Sequence, residues 1–150
     1  MEFFKIESLL RKNPGALPPQ FASLTEDQER EVIDRLLSSA GRPEGPPQVV
    51  LTHILQQSKP LAGVDLDKQE IDLSQVFEKC GVVPRPTIYV EWGPLREIDR
   101  FQTEDLIKHF YDVWYPSADD IELFDETFSW IVFVRHFGGV QVWRPSSSGA

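Results

Sequence analysis

Five carboxylates crowd the eight residues from Asp119 to Glu126: Asp119, Asp120, Glu122, Asp125 and Glu126. Side chains of this type can do three kinds of chemistry. Paired acids, Asp119 with Asp120 or Asp125 with Glu126, can exchange protons or attack a glycosidic centre. Carboxylates converging with a histidine can hold a metal ion, and His109 and Asp112 lie just upstream at i, i+3 of one predicted helix. A dense acidic surface can also attract a basic protein and occupy the place of that protein's own anionic ligand.

The surroundings weigh these options. A calcium loop needs acids at alternating positions and a glycine at the sharp turn, and Asp119 to Glu126 contains no glycine. Adjacent acids in turns commonly cap helices or face water. Ser117 could be drawn into a triad with His109 or His136, but no Gly-x-Ser-x-Gly elbow surrounds it. Cys80 closes an amphipathic segment, the ordinary place for a small buried thiol. Gly138-Gly139 sits inside a predicted hairpin and not ahead of a helix, so no phosphate-binding loop is present. A metal-dependent enzyme built on His109, Asp112 and the following acids is therefore the alternative reading, and the leading one is non-enzymatic and needs no cofactor.

Charge distribution favours the binding reading. From Phe101 to Val134 eight acids face the single base Lys108, a local charge of −7 within a chain whose net charge is −9. Nucleic-acid binders need clustered Lys and Arg to displace counterions, so that class is excluded as an expectation. Tyr115, Trp130 and Trp143 flank the acids and could serve as aromatic anchors. With Asp119, Asp120, Glu122, Asp125 and Glu126 they form the expected contact set for a basic protein partner.

The elements that must position these residues are mostly legible. The 150 residues, 41% hydrophobic and 11% aromatic, suit one folded domain over 1–144 with a disordered tail from Pro145 to Ala150. No apolar run approaches the roughly 20 residues of a membrane helix. The stretch Met1 to Lys5 lacks the pattern of a secretory signal, and a lone cysteine excludes an internal disulfide; both suit a cytoplasmic protein.

Glu2 to Lys12 reads as a helix stopped by Asn13-Pro14-Gly15. Thr25 and Gln28 form a capping box for a second helix carrying Val32, Ile33, Leu36, Leu37 and Ala40, ended by Gly41. Arg42 to Pro47 is a stiff connector, and Pro47 opens a third helix through about Ser58. Lys59 to Gln69 reads as loop. Asp72 caps a short helix, Leu73 to Cys80, before Gly81.

The period then changes to alternation. Thr87 to Trp92 is a strand, Leu95 to Arg100 a second, and Thr103 caps a helix through Trp114. Ile121 to Phe124 and Trp130 to Phe137 follow as strands, and Val140 to Trp143 completes a C-terminal β-hairpin. A two-residue turn at Gly138-Gly139 would set Phe137 opposite Val140, His136 opposite Gln141 and Arg135 opposite Val142. Ile131, Phe133, Phe137, Val140 and Val142 would then share one face; Trp130, Val132, Val134 and Trp143 would share the other. Both faces are apolar, which fits either burial on both sides or an aromatic face left for a partner. Arg135 would sit among apolar residues and need an acid from the Asp119 to Glu126 loop. The sum is an α+β fold: N-terminal helices and a mostly antiparallel sheet of four to five strands.

The layout, with its late hairpin FDETFSWIVFVRHFGGVQVW, resembles small stand-alone bacterial immunity proteins of the SUKH superfamily and related groups. That resemblance implies an inhibitor of a toxin or effector, and it assigns no role to any numbered residue. A third reading is an adaptor or subunit of a larger assembly that uses the two-faced hairpin as its interface. The sequence does not fix the oligomeric state.

Overall fold

The computed structural model describes residues 1–41, 45–93 and 97–145. Among these residues five helices and seven strands follow in the order α1 Phe3–Lys12, β1 Phe21–Ser23, α2 Glu26–Ser39, α3 Pro47–Gln57, β2 Lys59–Asp65, α4 Leu73–Cys80, β3 Thr87–Trp92, β4 Ile98–Gln102, α5 Thr103–Val113, β5 Ile121–Phe124, β6 Ile131–Val134 and β7 Gly139–Trp143. The strands form one sheet in the order β1-β4-β3-β5-β6-β7-β2, and every neighbouring pair is antiparallel. The class is α+β, with seven strands where four to five were expected.

Local chemistry sets most helix starts. In α2 the Thr25 hydroxyl accepts the Gln28 N–H at 3.2 Å, and Gln28 Oε1 accepts the Thr25 N–H at 2.9 Å, the reciprocal capping box read from the sequence. Pro47 occupies the first turn of α3, and Asp72 caps α4 by accepting the Ser74 N–H at 2.8 Å. Thr103 is a correction. The N-cap of α5 is Gln102, while the Thr103 hydroxyl donates instead to the Arg85 carbonyl at 2.5 Å.

Helices cover both faces of the sheet. One core joins α4 and α5 to the sheet through Val76, Phe77, Leu106, Phe110 and Trp114 against Ile88, Val90, Leu123, Val132 and Val134. The other joins α2 and α3 through Val32, Leu36, Val50, Leu51 and Ile54 against Ile98, Phe124, Ile131, Phe133 and Trp143. Every residue of β5 and β6 is buried. Alternate residues of these central strands therefore enter different cores, and the apolar character of both faces is a demand of packing.

Two strands went unread, and both are sheet edges. β2 occupies the stretch expected to be loop. It contains Pro60 and Gly63, only Val64 is buried, and its pairing with β7 is irregular between Pro60 and Asp65. An edge strand has one neighbour and can carry a proline whose missing N–H faces no ladder. β1 has three residues, too few to show a period.

The hairpin register differs from expectation by three residues. Val134 opposes Val140, Phe133 opposes Gln141, Val132 opposes Val142, and Ile131 opposes Trp143. The turn widens to span Arg135 to Gly139, closed by Gly138 N–H to Arg135 O at 2.8 Å and Arg135 N–H to Gly139 O at 2.9 Å. A tertiary contact explains the shift. Gly138 presses on the loop after β2: its carbonyl accepts the Leu66 N–H at 2.9 Å, and a Cβ on Gly138 would lie 2.6 Å from Asp67 N. With φ at 97°, that position suits glycine alone. An odd shift exchanges faces. Val140 therefore joins Val132 and Val134, Trp143 joins Ile131 and Phe133, and Phe137 is left exposed in the turn.

Some expectations fall outside the described residues: the first half of the Arg42 to Pro47 connector, the start of the Leu95 strand, and the tail from 146. Among the described residues no helix is long and apolar enough to cross a membrane.

Two-sided burial is testable on one strand. Leu123→Ala, which opens the α4/α5 core, should cost about 2–5 kcal/mol, and Phe124→Ala, which opens the α2/α3 core, about 3–5 kcal/mol. Urea unfolding of both variants checks this; near-wild-type stability of either one would mean that its face of the sheet is not packed.

Candidate functional site

The acids of the opening motif part company in the fold. Glu122 and Asp125 are buried, at 4% and 1% exposure. Asp125 is consumed structurally: its carboxylate accepts the N–H of Arg85 at 3.0 Å and the N–H and hydroxyl of Thr127. Trp130 and Trp143 are buried too, Trp130 edge-on to Phe77 and Trp143 under α2 and α3. These four residues, expected to touch a partner, cannot reach one in this fold, because a sheet packed on both faces draws them inside. The hairpin offers no bare aromatic face either, so the adaptor reading loses its proposed interface.

Glu126 is exposed, and Tyr115, Asp119 and Asp120 are partly so. The last three gather with residues distant in sequence. The turn Tyr115 to Asp119 is knotted by its own hydrogen bonds: Asp119 Oδ2 accepts the Tyr115 N–H at 2.8 Å, the Tyr115 carbonyl accepts the Asp119 N–H at 3.0 Å, and the Asp119 carbonyl accepts Trp114 Nε1–H at 3.0 Å. Trp114 is fully buried and stacked on Phe110, so the turn stands on a rigid base.

Into this turn α1 delivers a lysine. Lys5 is 1% exposed; its ammonium lies 2.6 Å from Asp119 Oδ2, 4.3 Å from the Trp92 ring centre and 5.1 Å from that of Tyr115. A carboxylate and two ring faces thus replace the water that a buried ammonium gives up. Otherwise α1 is loosely seated: among its apolar residues Leu9 alone is buried, while Phe3, Phe4 and Leu10 face outward.

Beside this cage opens a concavity of about 560 Å³ lined by Glu2, Trp92, Gly93, Glu97, Ala118, Asp119 and Asp120. Gly93 lets two backbones meet there, since a Cβ on it would lie 2.7 Å from the Asp120 carbonyl. Behind the pocket Asp99, fully buried, accepts Trp92 Nε1–H at 2.9 Å, the Ser23 hydroxyl at 2.7 Å and the Met1 amine at 2.5 Å; the Met1 amine also contacts Glu97. Asp120 accepts the His136 N–H at 2.7 Å, meets His136 Nδ1 at 2.9 Å and pairs with Arg135 at 3.3 Å. Burial by itself would raise the Asp120 carboxyl, but the His136 N–H and ring, with Arg135, outweigh it and hold the group below the usual range. Arg135 thus takes an acid from the expected loop, though from a turn and not from a strand.

Other candidates sort plainly. His109 Nδ1 and Asp112 Oδ2 are 3.3 Å apart at a kink in α5, and no third ligand joins them; among the described residues no group of three or more metal-ligating side chains exists. The Ser117 N–H donates to the His136 carbonyl at 2.7 Å, yet among the described residues no hydrogen bond links the Ser117 hydroxyl to an imidazole. Burial pushes the Cys80 thiol up to about 11 against the pull of Arg144, which keeps it protonated.

Glu2, Lys5, Trp92, Glu97 and Asp99 were not among the expected site residues. Each looks ordinary in its own segment. The one available signal was Lys5, a charge within the otherwise apolar stripe of the first helix.

Lys5→Met keeps the stem and removes the charge, leaving Asp119 without its cation. We expect a loss of roughly 3 kcal/mol in urea unfolding together with a shifted tryptophan emission as Trp92 loses its ammonium neighbour. Unchanged stability would show that the pair contributes nothing to the fold.

No family model matches the chain, and comparison with curated proteins and with solved structures likewise finds no match.

Proposed function

We propose that this is a non-enzymatic binding protein that captures a basic segment of a protein partner at the pocket formed by Glu2, Trp92, Glu97, Asp119 and Asp120. The observation that carries this reading is the convergence of four carboxylates around one indole in a concavity. Lysine and arginine side chains need that combination: acceptors for the charged head and an aromatic surface for the stem or the guanidinium plane. The internal cations Lys5 and Arg135 hold Asp119 and Asp120 in place, so a partner meets oriented acceptors instead of free-swinging chains.

The whole-chain charge of −9 adds a field that steers a basic protein toward this surface. A basic partner that uses its own cationic groups on an anionic substrate would be blocked when they are engaged here. An immunity-type inhibitor of a toxin or effector acting in the cytoplasm is the biological form of this reading. The contact set becomes Asp119, Asp120 and Tyr115 from the original group, joined by Glu2, Trp92 and Glu97, while Glu126 lies past the other end of β5.

A decaarginine peptide serves as the probe, with tryptophan emission as the signal. Binding should be saturable at low salt, weaken as salt is raised, and fall about tenfold or more in the Glu97→Gln/Asp120→Asn double variant. Equal affinity in the double variant, or binding indifferent to salt, would overturn the proposal.

A further inference from the structure

α1 docks the wrong way round for a helix held by its apolar residues. Phe3, Ile6 and Leu10, spaced i, i+3, i+7, form a hydrophobic stripe, yet Phe3 is 73% exposed and Leu10 also faces solvent. The face turned to the protein carries Lys5 and Leu9 instead, and Leu9 joins neither core. Leu9 lines a groove with Lys108, His109 and Asp112 of α5. Met1, just ahead of the helix, packs partly against the α4/α5 core. What orients α1 is therefore the Lys5 ammonium, drawn into a seat made by other elements.

That seat is held together without α1. Asp119 Oδ2 stays aimed because it also accepts the Tyr115 N–H at 2.8 Å. Trp92 is fixed by its indole N–H, which donates to Asp99 at 2.9 Å, and Tyr115 belongs to the turn anchored on buried Trp114. A carboxylate oxygen 2.6 Å from the ammonium, with ring centres at 4.3 and 5.1 Å, makes a receptor for a primary alkylammonium. The segment that brings Lys5 hangs on an exposed stretch, residues 13–18, in which Ala16 alone is half-buried. The next anchors are buried Pro19, the Gln20 N–H on Asp105 at 2.8 Å, and the pairing of β1 with β4. Terminal segments with few buried contacts open far more readily than the core.

We propose that Trp92, Tyr115 and Asp119 form a lysine-binding seat that Lys5 fills in cis, and that a lysine of a basic partner takes the seat as α1 swings out. The exchange is like for like. One ammonium leaves Asp119 as another arrives, so the carboxylate is not left without a cation. Departure of α1 also takes the Met1 amine from Glu97 and removes Glu2, leaving Glu97, Asp119 and Asp120 to the partner. A tethered Lys5 competes as an intramolecular ligand at high effective concentration. A lone cation therefore meets a filled seat, whereas a lysine-rich segment that also engages Glu97 and Asp120 displaces the helix. The exchange rests on the pocket being a capture site for basic segments; the seat itself does not.

Lys5→Ala empties the seat. n-Butylammonium chloride, the lysine side chain as a free molecule, should then raise the variant's folding constant about threefold or more over equal sodium chloride, with no such rise in the unsubstituted protein. Adding Asp119→Asn to Lys5→Ala should abolish this rescue. In the unsubstituted protein n-butylammonium should speed hydrogen exchange of the α1 amides by competing with Lys5, which keeps the seat testable even if Lys5→Ala fails to fold. Saturating decalysine should speed the same amides about tenfold while α5 and the sheet stay protected. Absence of both n-butylammonium effects would overturn the seat. Decalysine bound with α1 exchange unchanged or slowed would overturn the exchange, and so would failure of decalysine to bind where decaarginine does. Capture of a basic segment is judged separately, by the salt dependence of decaarginine binding and its loss in Glu97→Gln/Asp120→Asn, whichever way α1 behaves.

Discussion

Burial of the sheet on both faces is the constraint on which the rest of this protein depends. In a sheet covered on one side, acids alternate outward to water and cost nothing. Here α4 and α5 lie over one face and α2 and α3 over the other, so an acid on a central strand meets protein in either direction. Such a group must find a cation, collect hydrogen-bond donors or keep its proton. The first two solutions are both in use, and burial pushes the carboxyl of Glu122 upward. Asp99 and Asp125 collect donors, Asp119 takes Lys5, and Glu122 faces Glu91.

The −7 segment therefore overstates the surface charge it supplies. Much of it is spent in holding the turn before β5 and the loop after it. What reaches solvent is smaller but better organised, because Asp119 and Asp120 are fixed by the internal cations Lys5 and Arg135. The pocket also gathers residues from three separate stretches, the α1 end, the β3–β4 region and the turn before β5, and the β6–β7 turn holds Asp120 through Arg135 and His136. Its geometry is therefore sensitive to how α1 and the hairpin turn dock, even though neither is at the centre of the sheet.

Legibility followed the range of the interactions. The α2 start was readable because a capping box is made by Thr25 and Gln28 within one turn. The start of α3 at Pro47 and the strand Thr87–Trp92 were readable for the same reason: their determinants are local backbone preferences. The edge strands β1 and β2 were not, since an edge half in water leaves almost no apolar pattern. The hairpin register failed through an equally physical cause. Gly138-Gly139 favours a tight turn by itself, but packing of Gly138 against the loop at Asp67 centres a wider one. Asp119, Asp120 and Tyr115 reach the surface, as a contact role would need; Trp130 and Trp143 were misplaced because aromatic side chains look alike in core and interface.

The sequence by itself determined the α+β class, four of the five helix starts, the central strands and the concentration of acid in the last third. Each of these rests on periodicity or on contacts a few residues apart. Only the tertiary structure decided which acids face water, which cation each one meets, and that Glu2, Lys5, Trp92 and Glu97 stand beside Asp119 and Asp120. Those outcomes depend on solvent exclusion and on charges brought together across about a hundred residues of chain. Nothing in the local order of amino acids encodes them.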